Sequence, residues 1–103
     1  RTTMKQELLA NNEQTQYILK KPSLFNVIMH NDNETTMDFV VTVLMNIYCM
    51  TRRDAETTMM KIHNEGSAIV GQYYRDIAET KILLTVNLAK KHNFPLQLTI
   101  KEA

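Results

Sequence analysis

A run of hydrogen-bonding side chains stands out in segment 27–39, which reads Val-Ile-Met-His-Asn-Asp-Asn-Glu-Thr-Thr-Met-Asp-Phe. Polar groups that converge beside apolar ones are typical of a small binding site. Asn31 and Asp32 supply hydrogen-bond acceptors, and no nucleophile lies next to them. Met37 and Val40 have the spacing that places two side chains on one face of a helix. The segment therefore predicts a site for a cation that carries an apolar group.

Metal and hydrolytic sites fit this segment poorly. His30, Asp32 and His63 contain zinc-ligating and catalytic residue types, but the sequence has no His-Glu-x-x-His motif, no pair of cysteines and no Ser on a Gly-flanked elbow. The spaced oxygens, central Gly and closing Glu of an EF-hand are also missing around residues 31–33. We therefore expect no metal, no cofactor and no catalytic activity.

Composition excludes several other classes of protein. The 103 residues are enough for one ordinary domain that needs neither a metal nor a disulfide to fold. Twelve basic and eleven acidic residues leave a formal charge of +1 without a long basic run, which argues against nucleic acid and anionic membranes as partners. No apolar run approaches the length of a membrane span. Cys49 is the single cysteine, and its apolar neighbours predict a buried or half-buried thiol and a reducing compartment.

The chain divides into two parts. Residues 1–21 hold few apolar side chains, so we expect a flexible N-terminal arm that is available to a partner. Residues 22–103 carry the apolar patterns of one core domain. The first residue is Arg1 rather than Met, so we expect that something upstream was removed, and a targeting segment is one alternative for it.

The elements that must position the polar segment follow from apolar spacing and from capping residues. The patterns predict three strands and three helices in the order β-α-α-β-α-β, a small sheet covered by helices in the α+β class. The predicted elements are strand 24–29, a helix from Thr35 or Thr36 to about Tyr48, a helix from Thr51 to Gly66, strand 67–74 with Gly71 as a bulge or close approach, helix 77–91 and strand 96–101.

Four sequence motifs resemble the ClpS family, whose members deliver N-degron substrates to the Clp protease. The resemblance covers residues 22–103 and keeps the family order and approximate spacing. The motifs are Asn31-Asp32 with Thr35 and Met37, the segment Met59 to His63 with Gly66, the tetrad Ala78-Glu79-Thr80-Lys81, and Pro95-Leu96 with Thr99. The resemblance implies a three-stranded antiparallel sheet packed against three helices, similar to the C-terminal domain of the ribosomal stalk protein.

The resemblance also implies a function. ClpS proteins are non-catalytic adaptors that bind the free N-terminal residue of a substrate, Phe, Tyr, Trp or Leu, and hand it to a AAA+ unfoldase of the ClpA or ClpC type. The family's α-amino ligands correspond to Asn31, Asp32 and His63, which agrees with the need of an ammonium group for acceptors. The family's hydrophobic pocket corresponds to Thr35, Met37, Val40, Met59, Ile62 and Leu96.

Docking and location are further implications of the resemblance. Glu79 and Lys81 match the surface that the family uses against the N-terminal domain of the unfoldase. The compartment is then the bacterial cytoplasm or, alternatively, a plastid or apicoplast stroma. The chain departs from the common family pattern at Asn33, Glu34 and Thr36, which affects the affinity and the details of docking.

Other interpretations of the same residues stay open at this stage. Met37 and Met59 have the spacing of ordinary core residues, and the polar run 31–33 has the composition of a simple turn. Glu79 and Lys81 would ordinarily belong to a solvated helix face. The alternative function is a domain that docks on the unfoldase and modulates it without an N-degron pocket.

Overall fold

The computed structural model describes residues 22–103, so the predicted arm of residues 1–21 lies outside the described residues. The described part contains three helices and three strands, and the strands form one antiparallel sheet in the order β2-β1-β3. The predicted α+β class and element order are confirmed. The elements are β1 Leu24–His30, α1 Met37–Asn46, α2 Arg52–Glu65, β2 Ser67–Tyr74, α3 Arg75–Lys91 and β3 Gln97–Glu102.

β1 is the central strand, and it brings the polar segment to one end of the sheet. Val27 and Met29 are fully buried on the face that the helices cover, whereas Asn26 lies on the opposite face and accepts a hydrogen bond from Gln72. α3 contacts all three strands, and α2 contacts both α1 and β2. The core is therefore a single layer of side chains between the sheet and the helices. No helix within residues 22–103 is long and apolar enough to cross a membrane.

β2 contains the bulge that the glycine predicted. Gly71 pairs with Val27 and Ile69 with Ile28, so Val70 is the additional residue in β2. A Cβ atom at position 71 would lie 2.5 Å from the ring of Tyr73, so a side chain there would require that ring to move.

Hydroxyl caps and a glycine set the helix ends near the site. The Thr36 hydroxyl accepts from the Phe39 N–H at 3.2 Å at the start of α1, and the Thr51 hydroxyl accepts from the Asp54 N–H at the start of α2. α2 ends at Gly66, which has a left-handed φ of 95°. These three boundaries agree with the capping patterns.

The turn after α1 begins earlier than predicted, and its cysteine is more exposed than predicted. α1 ends at Asn46, before Tyr48, and Cys49 takes a left-handed backbone conformation with φ of 59°. This turn directs Tyr48 into the core and leaves Cys49 exposed at the surface. The prediction of a buried thiol was therefore wrong, because apolar neighbours do not bury a residue whose backbone turns outward. α3 also begins at Arg75, two residues before the predicted start.

A buried pair of hydroxyl groups connects the turn after α1 to α3. Thr85 is fully buried, and its hydroxyl lies 2.8 Å from the Tyr48 hydroxyl and donates to the Lys81 carbonyl at 2.7 Å. Burial raises the pKa of Tyr48 to about 12, although the Thr85 hydrogen bond partly opposes the shift. The folded protein therefore favours the neutral phenol.

The buried phenol predicts a loss of stability in alkali. An unfolded tyrosine has its ordinary pKa of 10.0, whereas burial raises the pKa of folded Tyr48 to about 12. Its stabilisation is complete below pH 10 and falls as pH rises towards 12, by roughly 2–3 kcal/mol. Denaturant unfolding across this range should show a shallower decline in Tyr48→Phe than in the parent. Tyr74→Phe, at an exposed tyrosine, is the control and should decline like the parent; equal slopes in all three proteins would contradict the assignment.

Candidate functional site

The loop between β1 and α1 is held against the end of α2. The Asn31 N–H donates to the Gly66 carbonyl at 2.8 Å, directly after the last paired residue of β1, His30. Because His63 lies in the last turn of α2, this bond places the loop and the histidine at the same corner of the domain. The left-handed Gly66 thus ends α2 and also anchors the loop.

Asp32 organises the loop from within. One carboxylate oxygen, Oδ1, accepts from the N–H groups of Glu34 at 2.8 Å and Thr35 at 2.7 Å, and Oδ2 accepts from the Thr35 hydroxyl at 2.7 Å. This is an Asx-type turn in which an acidic side chain replaces a backbone acceptor. A carboxylate has about four lone-pair positions, so three bonds leave room for one more donor.

These hydrogen bonds also determine the ionisation of Asp32. Burial alone would raise the pKa of Asp32, but the hydrogen bonds from Thr35 and Glu34 outweigh that effect and hold the pKa below its usual value. The stabilisation that the ionised group provides is present above the unfolded pKa, and it is lost only as pH falls through the lower folded pKa. The loop therefore keeps a negative charge at neutral pH.

The loop, the first turn of α1 and the last turns of α2 enclose a cleft of about 350 Å³. Its base is apolar, since Val40 and Ile62 are 7% and 3% exposed, while Met37 at the rim is 44% exposed. The wall that the β1–α1 loop forms is polar. The cleft is lined by Asn31, Asp32, Asn33, Glu34, Thr35, Thr36, Met37, Val40, Met59, Ile62 and His63.

The structure brings most of the predicted site residues together in this cleft. All three predicted amine ligands line it, together with five of the six predicted pocket residues, Thr35, Met37, Val40, Met59 and Ile62. Asn33, Glu34 and Thr36 also line it, although the sequence singled them out only as departures from the family pattern. Their position in the same polar run was the signal that could have included them.

Leu96 is the predicted pocket residue that the structure does not bring to the cleft lining. It is 6% exposed and belongs to the buried core cluster. Leu96 immediately precedes the edge strand β3, whereas the residues that line the cleft come from the β1–α1 loop, α1 and α2. Alternation along the strand could not distinguish a core position from a pocket position.

The two residues of the predicted docking surface have different environments on α3. Glu79 is exposed, and its carboxylate pairs with Arg75 Nε at 3.1 Å. Lys81 is half-buried; its Nζ donates to the Ile47 carbonyl at 2.6 Å and lies 5.3 Å from the centre of the Tyr73 ring. Neither residue lines the cleft. Lys81 therefore also connects the end of α1 to α3.

The cleft has two chemically different ends. Asn31, Asp32 and His63 offer amide, carboxylate and imidazole acceptors at the polar end, which suit a group that only donates hydrogen bonds, such as an ammonium. Met37 and Met59 flank the apolar end with flexible thioethers that adapt to flat or branched side chains. A molecule that joins an amine to an apolar side chain through one carbon fits both ends.

Comparisons with known proteins identify similar chains. The family model described as ATP-dependent Clp protease adaptor protein ClpS matches residues 20–99. A ClpS adapter protein of Lawsonia intracellularis is 42% identical over 84 residues, covering 82% of this chain and 77% of that protein. A Campylobacter jejuni ClpS adapter protein is 44% identical over 90 residues, covering 87% of this chain and 92% of that protein.

A solved structure provides a further comparison. Agrobacterium tumefaciens ClpS2 bound to L-phenylalaninamide is 37% identical in sequence and superposes with a TM-score of 0.78. The superposition covers 81% of this chain and all of that one. L-phenylalaninamide has a free α-amino group and an amide in place of the next peptide bond, so it reproduces the first residue of a polypeptide.

Proposed function

This chain belongs to the ClpS family of Clp protease adaptors, and from that premise we propose that it binds the free N-terminus of N-degron substrates. The first residue of such a substrate would be Phe, Tyr, Trp or Leu, and the adaptor would deliver it to a AAA+ Clp unfoldase for degradation. The protein itself performs no catalysis in this proposal. The observation that carries it is the cleft, in which three acceptors for an amine adjoin an apolar base.

Both halves of the site are expected to contribute to the binding energy. Hydrogen bonds to a charged group are worth about 1.5–3 kcal/mol each, and burial of a Phe-sized side chain is worth about 1.5–3 kcal/mol. We assign Asn31, Asp32 and His63 to the α-ammonium group. We assign Thr35, Met37, Val40, Met59 and Ile62 to the side chain of the first residue.

The alternative, a docking domain without an N-degron pocket, explains less. Docking alone does not require acceptors that face one cleft, and it does not require the Asp32 carboxylate to order the polar wall. We also propose that the partner surface includes Glu79 and Lys81 on α3 and fits the N-terminal domain of a ClpA-type or ClpC-type unfoldase. The bacterial relatives favour a bacterial cytoplasm over a plastid or apicoplast stroma.

Fluorescence anisotropy with labelled peptides tests the function directly. The peptides differ only in the first residue and end in the same sequence. We expect Phe, Tyr, Trp and Leu peptides to bind and Gly and Asp peptides to bind at least roughly tenfold more weakly, because the latter leave the apolar base unfilled. Equal affinity for all first residues would contradict the proposal.

Met37 is expected to exclude β-branched first residues. Its side chain stands at the rim of the cleft, 44% exposed, where branching next to the backbone of the ligand would meet it. Met37→Ala should therefore increase the affinity for Ile and Val peptides about tenfold relative to Leu. Met60→Ala is a matched control, because Met60 is 42% exposed and does not line the cleft. Unchanged selectivity in Met37→Ala would assign that side chain to packing alone.

A further inference from the structure

Two methionine side chains belong to the apolar end of the cleft, and methionine is a residue that can be oxidised reversibly. Met37 and Met59 both line the cleft. A thioether is apolar, whereas its oxidation product, methionine sulfoxide, is polar and is reduced back by dedicated enzymes. The other apolar residues of the lining, Val40 and Ile62, are aliphatic and have no such chemistry. The two methionines are therefore the apolar groups of the cleft whose polarity can change after folding.

Exposure distinguishes Met37 from the other methionines of residues 22–103. An oxidant in solution reaches a sulfur atom most readily where the side chain is exposed. Met37 is 44% exposed and Met60 is 42% exposed, but Met60 does not line the cleft. The others are buried or half-buried: Met29, Met45, Met50 and Met59. Among the residues that the structure describes, Met37 is thus the methionine that is both exposed and part of the cleft.

Hydrogen peroxide is the class of oxidant that this chemistry requires. One of its oxygen atoms passes to the Met37 sulfur, so the O–O bond breaks, an S–O bond forms and the other oxygen leaves as water. The sulfur is oxidised and the peroxide is reduced. The Thr36 hydroxyl that caps α1 bonds the Phe39 N–H and does not involve the Met37 side chain. Oxidation therefore changes the polarity of the rim while the helix start keeps its cap.

We propose that Met37 is a site of reversible oxidation that controls the cleft, which binds an apolar first residue in the thioether form and releases it in the sulfoxide form. This inference rests on the proposed function, because it assigns regulation to the same cleft. A buried sulfoxide group would lose its hydrogen bonds to water against the apolar ligand. A sulfoxide group that turns to solvent would leave that ligand uncovered. Affinity falls in both cases.

Peptide binding before and after oxidation tests the proposal. The full chain is treated with hydrogen peroxide, mass spectrometry of its fragments locates the added oxygen, and anisotropy measures the affinity for a Phe peptide. We expect the affinity to fall by roughly tenfold as Met37 is converted to sulfoxide. Methionine sulfoxide reductases with dithiothreitol should restore it. Dithiothreitol alone should not, which separates the sulfoxide from reversible oxidation of the exposed Cys49.

Variants at two equally exposed methionines assign the effect to one sulfur. Met37→Leu keeps an apolar side chain without sulfur, so its own affinity for the Phe peptide should be the same before and after peroxide. Met60→Leu is the matched control and should lose affinity on oxidation as the parent does. Met37→Gln places a polar side chain of similar length at the rim and should bind more weakly than Met37→Leu without any peroxide. Denaturant unfolding verifies that each variant is folded.

The possible outcomes separate this inference from the proposed function. Phe-peptide binding that survives full conversion of Met37 to sulfoxide would overturn the inference and leave the proposed function intact. An equal loss on oxidation in Met37→Leu and in the parent would also overturn it, because the effect would then belong to another residue, such as the half-buried Met59. An untreated parent that binds no Phe peptide would overturn the proposed function, and this inference with it.

Discussion

Acetylation of the α-amino group of a peptide that begins with Phe is expected to weaken its binding to this protein by roughly a hundredfold or more. The acetylated nitrogen carries no positive charge and keeps one donor instead of three. Asn31, Asp32 and His63 line the polar end of the cleft, and they would then face an amide that satisfies at most one of them. An acceptor that has lost water without gaining a partner adds to the cost.

Acetylation of the peptide and the His63→Ala substitution can be combined in a double-mutant cycle. The affinities of the four combinations are measured by anisotropy or calorimetry. His63→Ala should reduce the affinity for the free amine but have little effect on the acetylated peptide, because the lost contact exists only with the amine. A peptide acetylated on a lysine side chain near its C-terminus is the matched control and should bind like the parent peptide. Equal binding of free and α-acetylated peptides would refute recognition of the N-terminus.

Replacement of Asp32 by Ala is expected to have the second large effect, a loss of Phe-peptide affinity of roughly a hundredfold. The carboxylate contributes in two ways. Its hydrogen bonds from Glu34 and Thr35 shape the polar wall, and its charge lies beside the position proposed for the ammonium. Asp32→Ala removes both contributions, so the loop would lose its internal acceptor as well as its charge.

Asp32→Asn separates the two contributions. The Asn side chain keeps an acceptor oxygen for the backbone N–H groups and an amide for the Thr35 hydroxyl, but it has no charge. We expect it to have an intermediate affinity and a loop whose amide hydrogen exchange resembles that of the parent. Asp38→Asn removes an equal charge from the first turn of α1 outside the cleft, and it should bind like the parent. Identical affinities for Asp32→Asn and Asp32→Ala would assign the whole effect to charge.

Local patterns in the sequence were sufficient for the elements, whereas most of the cleft residues followed from the resemblance to the ClpS family. Hydroxyl residues at helix starts, Gly66 at the end of α2 and the apolar repeats predicted the β-α-α-β-α-β order that the structure has. Asn31 and Met37 are separated by six positions, so a strand end and a helix start were enough to place them at the two ends of one short loop. These features depend on residues that are close to one another in the sequence, and such residues largely determine the local backbone geometry.

The tertiary structure decided which surface each side chain faces. Leu96 and Met59 are both apolar residues at regular spacing, yet one is buried in the core and the other lines the cleft. Cys49 turned outward because of a left-handed residue in a short connection, and Lys81 turned inward to the Ile47 carbonyl. The sequence by itself determined the order of the elements and the types of chemical groups available. The positions of β1, α1 and α2 relative to one another decided which groups meet, because burial depends on contacts between distant segments that no local pattern records.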